Sequence, residues 1–164
     1  MIPDKHASHG NGIIVCSFII AIMLTALPLP DWAANWRPAW VPIVLIYWCM
    51  AVPDRVGISV AWVLGLFLDV MHSNVLGQNA LGLVLIAYIT LQSYQRMRVF
   101  PLTQQAIAVC IYLLIYELIV YVISMYTASR DLHWTYWMPA VTSMLIWPWL
   151  FIVLRDIRRK YRIS

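Results

Sequence analysis

The sequence predicts an all-α, polytopic integral membrane protein with six transmembrane helices. Three observations carry that expectation. Hydrophobic residues make up 63% of the 164-residue chain, charged residues only 11%, and mean hydropathy is +0.78, whereas soluble domains carry roughly 25% charged residues. Polar residues gather in short stretches that punctuate apolar runs of near-membrane length. Lys and Arg, finally, fall mostly on alternate connections between those runs. No long polar segment interrupts the pattern, so residues 1–164 read as a single transmembrane domain.

Residues 1–11 form a short polar end with no structure of its own expected. They hold Lys5, His6 and His9, and two histidines without further ligand types predict no metal site. Residues 12–29 are eighteen positions without a charge, enough for one crossing. A signal peptide would need a richer basic start and small residues at its cleavage site. Here Lys5 stands alone and Pro28–Leu29–Pro30 fills that place, so an uncleaved first span is expected. The stretch PDWAANWRP follows, and Trp32, Trp36 and Trp40 have the character of an interfacial aromatic belt.

The second span, 39–52, and the third, 56–71, are both short. Pro42 falls in the first turn of the second, where proline is tolerated. A single helix from Trp40 to Val70 is rejected, because it would carry Asp54 and Arg55 into mid-membrane. Two short helices imply burial against neighbours. A turn at His72–Ser73–Asn74 leads into the fourth span, 75–93, then a basic connection with Arg96 and Arg98. The fifth span, 102–126, is rich in tyrosine and contains Glu117. The sixth, 134–154, holds Pro139 and Pro148, which predict a kink, and residues 155–164 form a basic tail.

With six spans, Lys5, Arg55, Arg96, Arg98, Arg155, Arg158, Arg159, Lys160 and Arg162 share one side, and only Arg37 and Arg130 the other. The excess of positive charge places the first group, and both termini, in the cytoplasm.

No catalytic pattern is present: no GxSxG, HExxH, phosphate-binding loop or glycine-rich dinucleotide motif. An enzyme is therefore not expected, nor a cofactor. Cys16, Cys49 and Cys110 lie far apart inside apolar runs and read as small core hydrophobes rather than metal ligands or disulfides. Asp69 needs an interface or a protein partner to offset its burial. Asp69 and His72, three residues apart, could share a proton, but a polar helix end is the favoured reading. Gly77, Gln78 and Asn79 are small or amide residues of the kind that let membrane helices approach and hydrogen-bond. With Asp69 and Glu117 they are the candidate packing or partner-contact residues. Glu117 reads either as a functional carboxylate within a span or as a packing group bonded by Tyr112, Tyr116, Tyr121 or Tyr126. Arg158, Arg159, Lys160 and Arg162 suit anionic lipid head groups, each charge contributing ~1 kcal/mol near the surface. So short a cluster held at a membrane does not predict nucleic-acid binding.

Three stretches carry a family resemblance: Arg37–Val70 (RPAWVPIVLIYWCMAVPDRVGISVAWVLGLFLDV), Leu76–Ile89 (LGQNALGLVLIAYI) and Gln95–Ala106 (QRMRVFPLTQQA). A glycine–leucine run into Asp69, followed by Leu76–Gly77 and Asn79–Ala80, resembles the MreD family of rod shape-determining proteins in its gammaproteobacterial form. The match is dense in the middle of the chain, while the ends agree only in character. The resemblance implies a non-enzymatic inner-membrane subunit of the cell-elongation complex that maintains rod shape. Its implied partners are MreC above all, then the actin-like MreB, RodA and a penicillin-binding transpeptidase, through which it would help position peptidoglycan synthesis. It also implies a fold similar to the membrane substrate-binding subunits of energy-coupling factor transporters, although fold does not carry function. The alternative is a small-molecule binding or transport subunit with Asp69, Asn79 and Glu117 around a cavity. Such a cavity needs convergent polar groups. These three stand on different spans and at different depths, which favours the scaffold.

Overall fold

The computed structural model describes residues 5–30, 33, 36–72, 75–127 and 134–161, and among these it holds six α-helices, one 3-10 turn and no strand. The helices are α1 (Lys5–Ala26), α2 (Trp40–Ala51), α3 (Ile58–Met71), α4 (Gln78–Val99), α5 (Leu102–Thr127) and α6 (Met138–Lys160), with the 3-10 turn at Trp134–Trp137 just before α6. Two of them, Leu102–Tyr126 within α5 and the whole of α6, are long and apolar enough to cross a membrane.

The core is built around α2. Every residue from Val41 to Met50 is buried, which follows from a sequence with no polar side chain but the Tyr47 hydroxyl, the Trp48 indole N–H and the Cys49 thiol. Its 12 residues span only ~18 Å at about 1.5 Å per residue, against a hydrocarbon core of about 30 Å. A helix wrapped by others need not match the bilayer, and α2 is wrapped by α1, α4 and α6, with a lighter contact to α5. The indole of Trp48 donates to Ser17 Oγ of α1 at 2.8 Å, so its N–H is not orphaned in the core.

The most extensive pairing is α3 against α4. Ala61, Leu64, Gly65, Leu68 and Asp69 form the buried stripe of α3 at helical spacing. A Cβ on Gly65 would lie 2.2 Å from Ala80 Cα, so only glycine admits α4 at this distance. Gly82 serves α4 and α5 in the same way, since a Cβ there would meet the Tyr116 ring of α5 at 2.6 Å. The outer faces are the reverse: Trp62, Val63 and Phe67 on α3, Leu81, Leu85 and Tyr88 on α4, and Ile107, Ile111 and Leu118 on α5 are all exposed. Monomeric soluble proteins do not present apolar surface on this scale.

Contacts between helix ends alternate along the chain. At one end Arg55 reaches Asn11, Arg98 reaches Met50 and Ala51, and Arg158 reaches Ala51. At the other, Arg37 reaches the carbonyls of Thr25 and Leu27, and the Ala39 amide donates to Ser143 Oγ at 2.9 Å. The same second end carries the bonds from Asp69 to α4. Neighbouring helices therefore run antiparallel.

Several boundaries differ from those the sequence predicts. Helix α1 begins at Lys5 rather than Gly12, and α4 extends to Val99, so Arg96 and Arg98 lie in its last turn and complement the helix dipole instead of sitting in a loop. Likewise α6 continues through Lys160, and Arg158, Arg159 and Lys160 are its last turn rather than a free tail. Pro139 falls in the first turn of α6, leaving Pro148 as the one interior proline of that helix. Helices α2 and α3 are separate, broken at 52–57 as the charges there require. Only α2 of the two short helices is enclosed; α3 keeps one open face.

Candidate functional site

The polar residues singled out around Asp69 meet where α3 ends and α4 begins. Helix α4 opens on Gly77, whose φ of 102° is the left-handed region that glycine adopts without strain. With no side chain there, the first amides of α4 need an acceptor from elsewhere. Asp69 supplies it across the turn: Oδ2 accepts from the Gly77 amide at 2.8 Å and Oδ1 from the Asn79 amide at 2.8 Å. Asn79 Nδ2 adds a third bond to Oδ1 at 2.9 Å. The carboxylate is 0% exposed, yet it has three donors and faces the positive end of α4's dipole. Its environment is polar although it is buried.

The network continues into α5. The Tyr116 hydroxyl donates to Asn79 Oδ1 at 2.6 Å, which fixes the amide with Nδ2 toward Asp69. Gln78 Nε2 donates to the Val120 carbonyl at 3.0 Å and to Ser124 Oγ, and Ser124 Oγ donates to the Val120 carbonyl at 2.8 Å. Three consecutive helices are thus clamped by side chains from one short segment. Gly82 lets the Tyr116 ring in beside them.

Other sequence-predicted residues stand differently. His72 Nδ1 pairs with the Leu68 carbonyl at 2.9 Å, and the donors to Asp69 are the Gly77 and Asn79 amides, so the pair forms a polar helix end rather than sharing a proton. Ser73 and Asn74 lie outside the described residues. Gly77 was expected to be a close helix contact, but a Cβ there would meet nothing within 4 Å; the close approaches belong to Gly65 and Gly82. Glu117 is buried on α5, 5% exposed. Of the tyrosines near it, Tyr116 donates to Asn79 Oδ1 and Tyr136 to the Glu117 backbone carbonyl at 3.3 Å. The Ala140 amide in the first turn of α6 faces the Glu117 carboxylate. Neither carboxylate oxygen closes a hydrogen bond among the described residues. Of the basic tail, Arg158 is half-buried and donates to Ala51 O, Arg159 and Lys160 are exposed, and Arg162 lies outside the described residues.

Tyr116, Ser124 and Gly65 were not legible as members of this centre. Their signals were a hydroxyl and a glycine on apolar helices, with nothing to say which neighbour they would meet. Among the described residues no three of His, Cys, Asp and Glu gather closely enough to hold a metal ion. The arrangement is chemically a clamp: donors and acceptors are matched to one another.

Residues 7–157 match the family model described as rod shape-determining protein MreD. The rod shape-determining protein MreD of Haemophilus influenzae is 33% identical over 150 residues, spanning 92% of this chain and 93% of that protein. No solved structure matches the chain significantly. A family match over nearly the whole length, joined to a relative aligned end to end, leaves a single assignment: the chain belongs to the MreD family of rod shape-determining proteins.

Proposed function

We propose that this protein is a non-enzymatic, six-span subunit of the bacterial inner membrane that serves the cell-elongation complex as a scaffold, with both termini in the cytoplasm. Its partner is MreC in the first place, with MreB, RodA and a penicillin-binding transpeptidase as further members of the complex. By binding them it helps position peptidoglycan synthesis and so maintains rod shape. Family membership supports the role in cell shape. The observation that carries the scaffold reading is the bonding of Asp69 and Asn79: they are held by each other, by α4 and by Tyr116, as members of a clamp rather than a ligand site. The exposed apolar faces of α3, α4 and α5 are then available to lipid and to partner helices. Alternating helix ends and the distribution of Lys and Arg support the topology. Arg158, Arg159, Lys160 and Arg162 hold the cytoplasmic end against anionic lipid.

The test is affinity purification of the chain from membranes in mild detergent, with attached proteins identified. MreC recovered at a fixed ratio is the expected result. Recovery of the chain alone, or with the components of a transporter, would count against the scaffold.

A further inference from the structure

At the end of the bundle where α2, α4 and α6 finish and α5 starts, the chain forms a half-open cavity of about 240 Å³. Tyr47, Arg98, Gln105, Phe151, Arg155 and Arg158 supply most of its wall. Three guanidinium groups from two helices converge there, and among the described residues no acidic side chain lines the space. Like charges so placed repel unless an anion joins them.

Some of this charge has a structural task. Arg98 donates from Nε to Met50 O at 2.7 Å and from Nη2 to Ala51 O at 3.0 Å, and Arg158 Nη1 donates to Ala51 O at 3.3 Å. They thereby satisfy the last carbonyls of α2. Three bonds leave most of the guanidinium N–H groups of these two residues unused, since each arginine offers five donors. Arg155 takes no share in that capping; among the described residues its close ionic contact is the exposed neighbour Asp156, at 3.9 Å. A second observation is independent of charge. Gln105 is 3% exposed and donates from Nε2 to Met97 O at 2.9 Å and Phe100 O at 3.1 Å, which fixes the orientation of its amide. Its Oε1 is left buried with no donor among the described residues. The wall therefore offers free cationic donors, and Gln105 in that wall carries an unmatched acceptor buried just behind its surface.

We propose that this cavity binds a phosphate-bearing anion that also carries a hydroxyl or acid proton. Arg98, Arg155 and Arg158 hold the phosphate oxygens, and the ligand's O–H donates to Gln105 Oε1. The volume equals about eight waters at about 30 Å³ each, room for a phosphate with a small polyol. That chemistry is shared by a soluble phosphate ester and by the glycerol phosphate head group of an anionic phospholipid. The site differs from the outward-facing Arg159 and Lys160, and it stands whether or not the chain binds MreC.

The full chain, purified in neutral detergent, is titrated at constant ionic strength with inorganic phosphate, with dihexanoyl phosphatidylglycerol and with the zwitterionic dihexanoyl phosphatidylcholine. Its melting temperature is the readout. The expected result is a saturable rise with at least one of the two anions and none with phosphatidylcholine. Arg155→Gln, which touches no α2 carbonyl, melts as the wild type does without ligand and shows the rise only at about tenfold higher concentration, as loss of one charge-assisted bond predicts. Arg96→Gln, on the same helix end but outside the cavity wall, shows the rise at the wild-type concentration. A rise with phosphatidylglycerol alone identifies the head group as the source; a rise with phosphate as well identifies the soluble anion. No saturable rise with either anion, an equal rise with phosphatidylcholine, or an equal loss in Arg96→Gln overturns the proposal.

Discussion

Asp69 is one of seven acidic residues in the chain, and its rarity inside an apolar run is what draws notice to it in the sequence. What it does was not legible, because its donors come from Gly77 and Asn79, eight and ten positions on, across a turn whose geometry no local pattern specifies. The bonds make a graded prediction. In Asp69→Asn one oxygen keeps Asn79, while the new amide N–H₂ faces the Gly77 amide, donor against donor. That leaves a buried N–H unpaired, at a cost of about 1–3 kcal/mol. In Asp69→Leu all three donors are orphaned and the loss is larger. Thermal unfolding in detergent should rank wild type above Asn above Leu. Equal melting of Asn and wild type would mean that the Gly77 bond contributes nothing.

The paired helices show the same division between what sequence tells and what packing decides. Composition alone located α2, since twelve residues without a charge, flanked by Pro38 and Pro53, have few other ways to fold. Which glycine brings α3 and α4 together was beyond it, because closeness is a property of two surfaces. The sequence singles out Gly77 as the close contact, but Gly77 is there for its positive φ and Gly65 for the missing Cβ. Gly65→Leu should therefore separate α3 from α4 and destabilise by about 1–3 kcal/mol, in the usual range for overpacking, or more. Gly12→Leu, in open space, should leave stability unchanged. Melting temperatures of the two variants check this, and a silent Gly65→Leu would contradict the crossing described here.

For the whole molecule, hydropathy and charge carried the class and the helix order, while the depth of each polar group had to come from the fold. The proposed topology predicts that Ser73→Cys reacts with an impermeant thiol reagent in permeabilised cells and that Ser164→Cys does not, against a background with Cys16, Cys49 and Cys110 replaced. The reverse labelling would invert or break the six-span arrangement. The central claim is that the polar centre holds helices in place for partners and performs no chemistry of its own. Its most direct measurement is cell shape together with MreC co-purification, in cells whose only copy is Asp69→Asn, expressed to the wild-type amount of folded protein. The account predicts rods with MreC attached, and loss of shape only in step with loss of folded protein as temperature rises. Spherical cells containing a full complement of folded, membrane-inserted Asp69→Asn would contradict it, because the carboxylate itself would then be the working group.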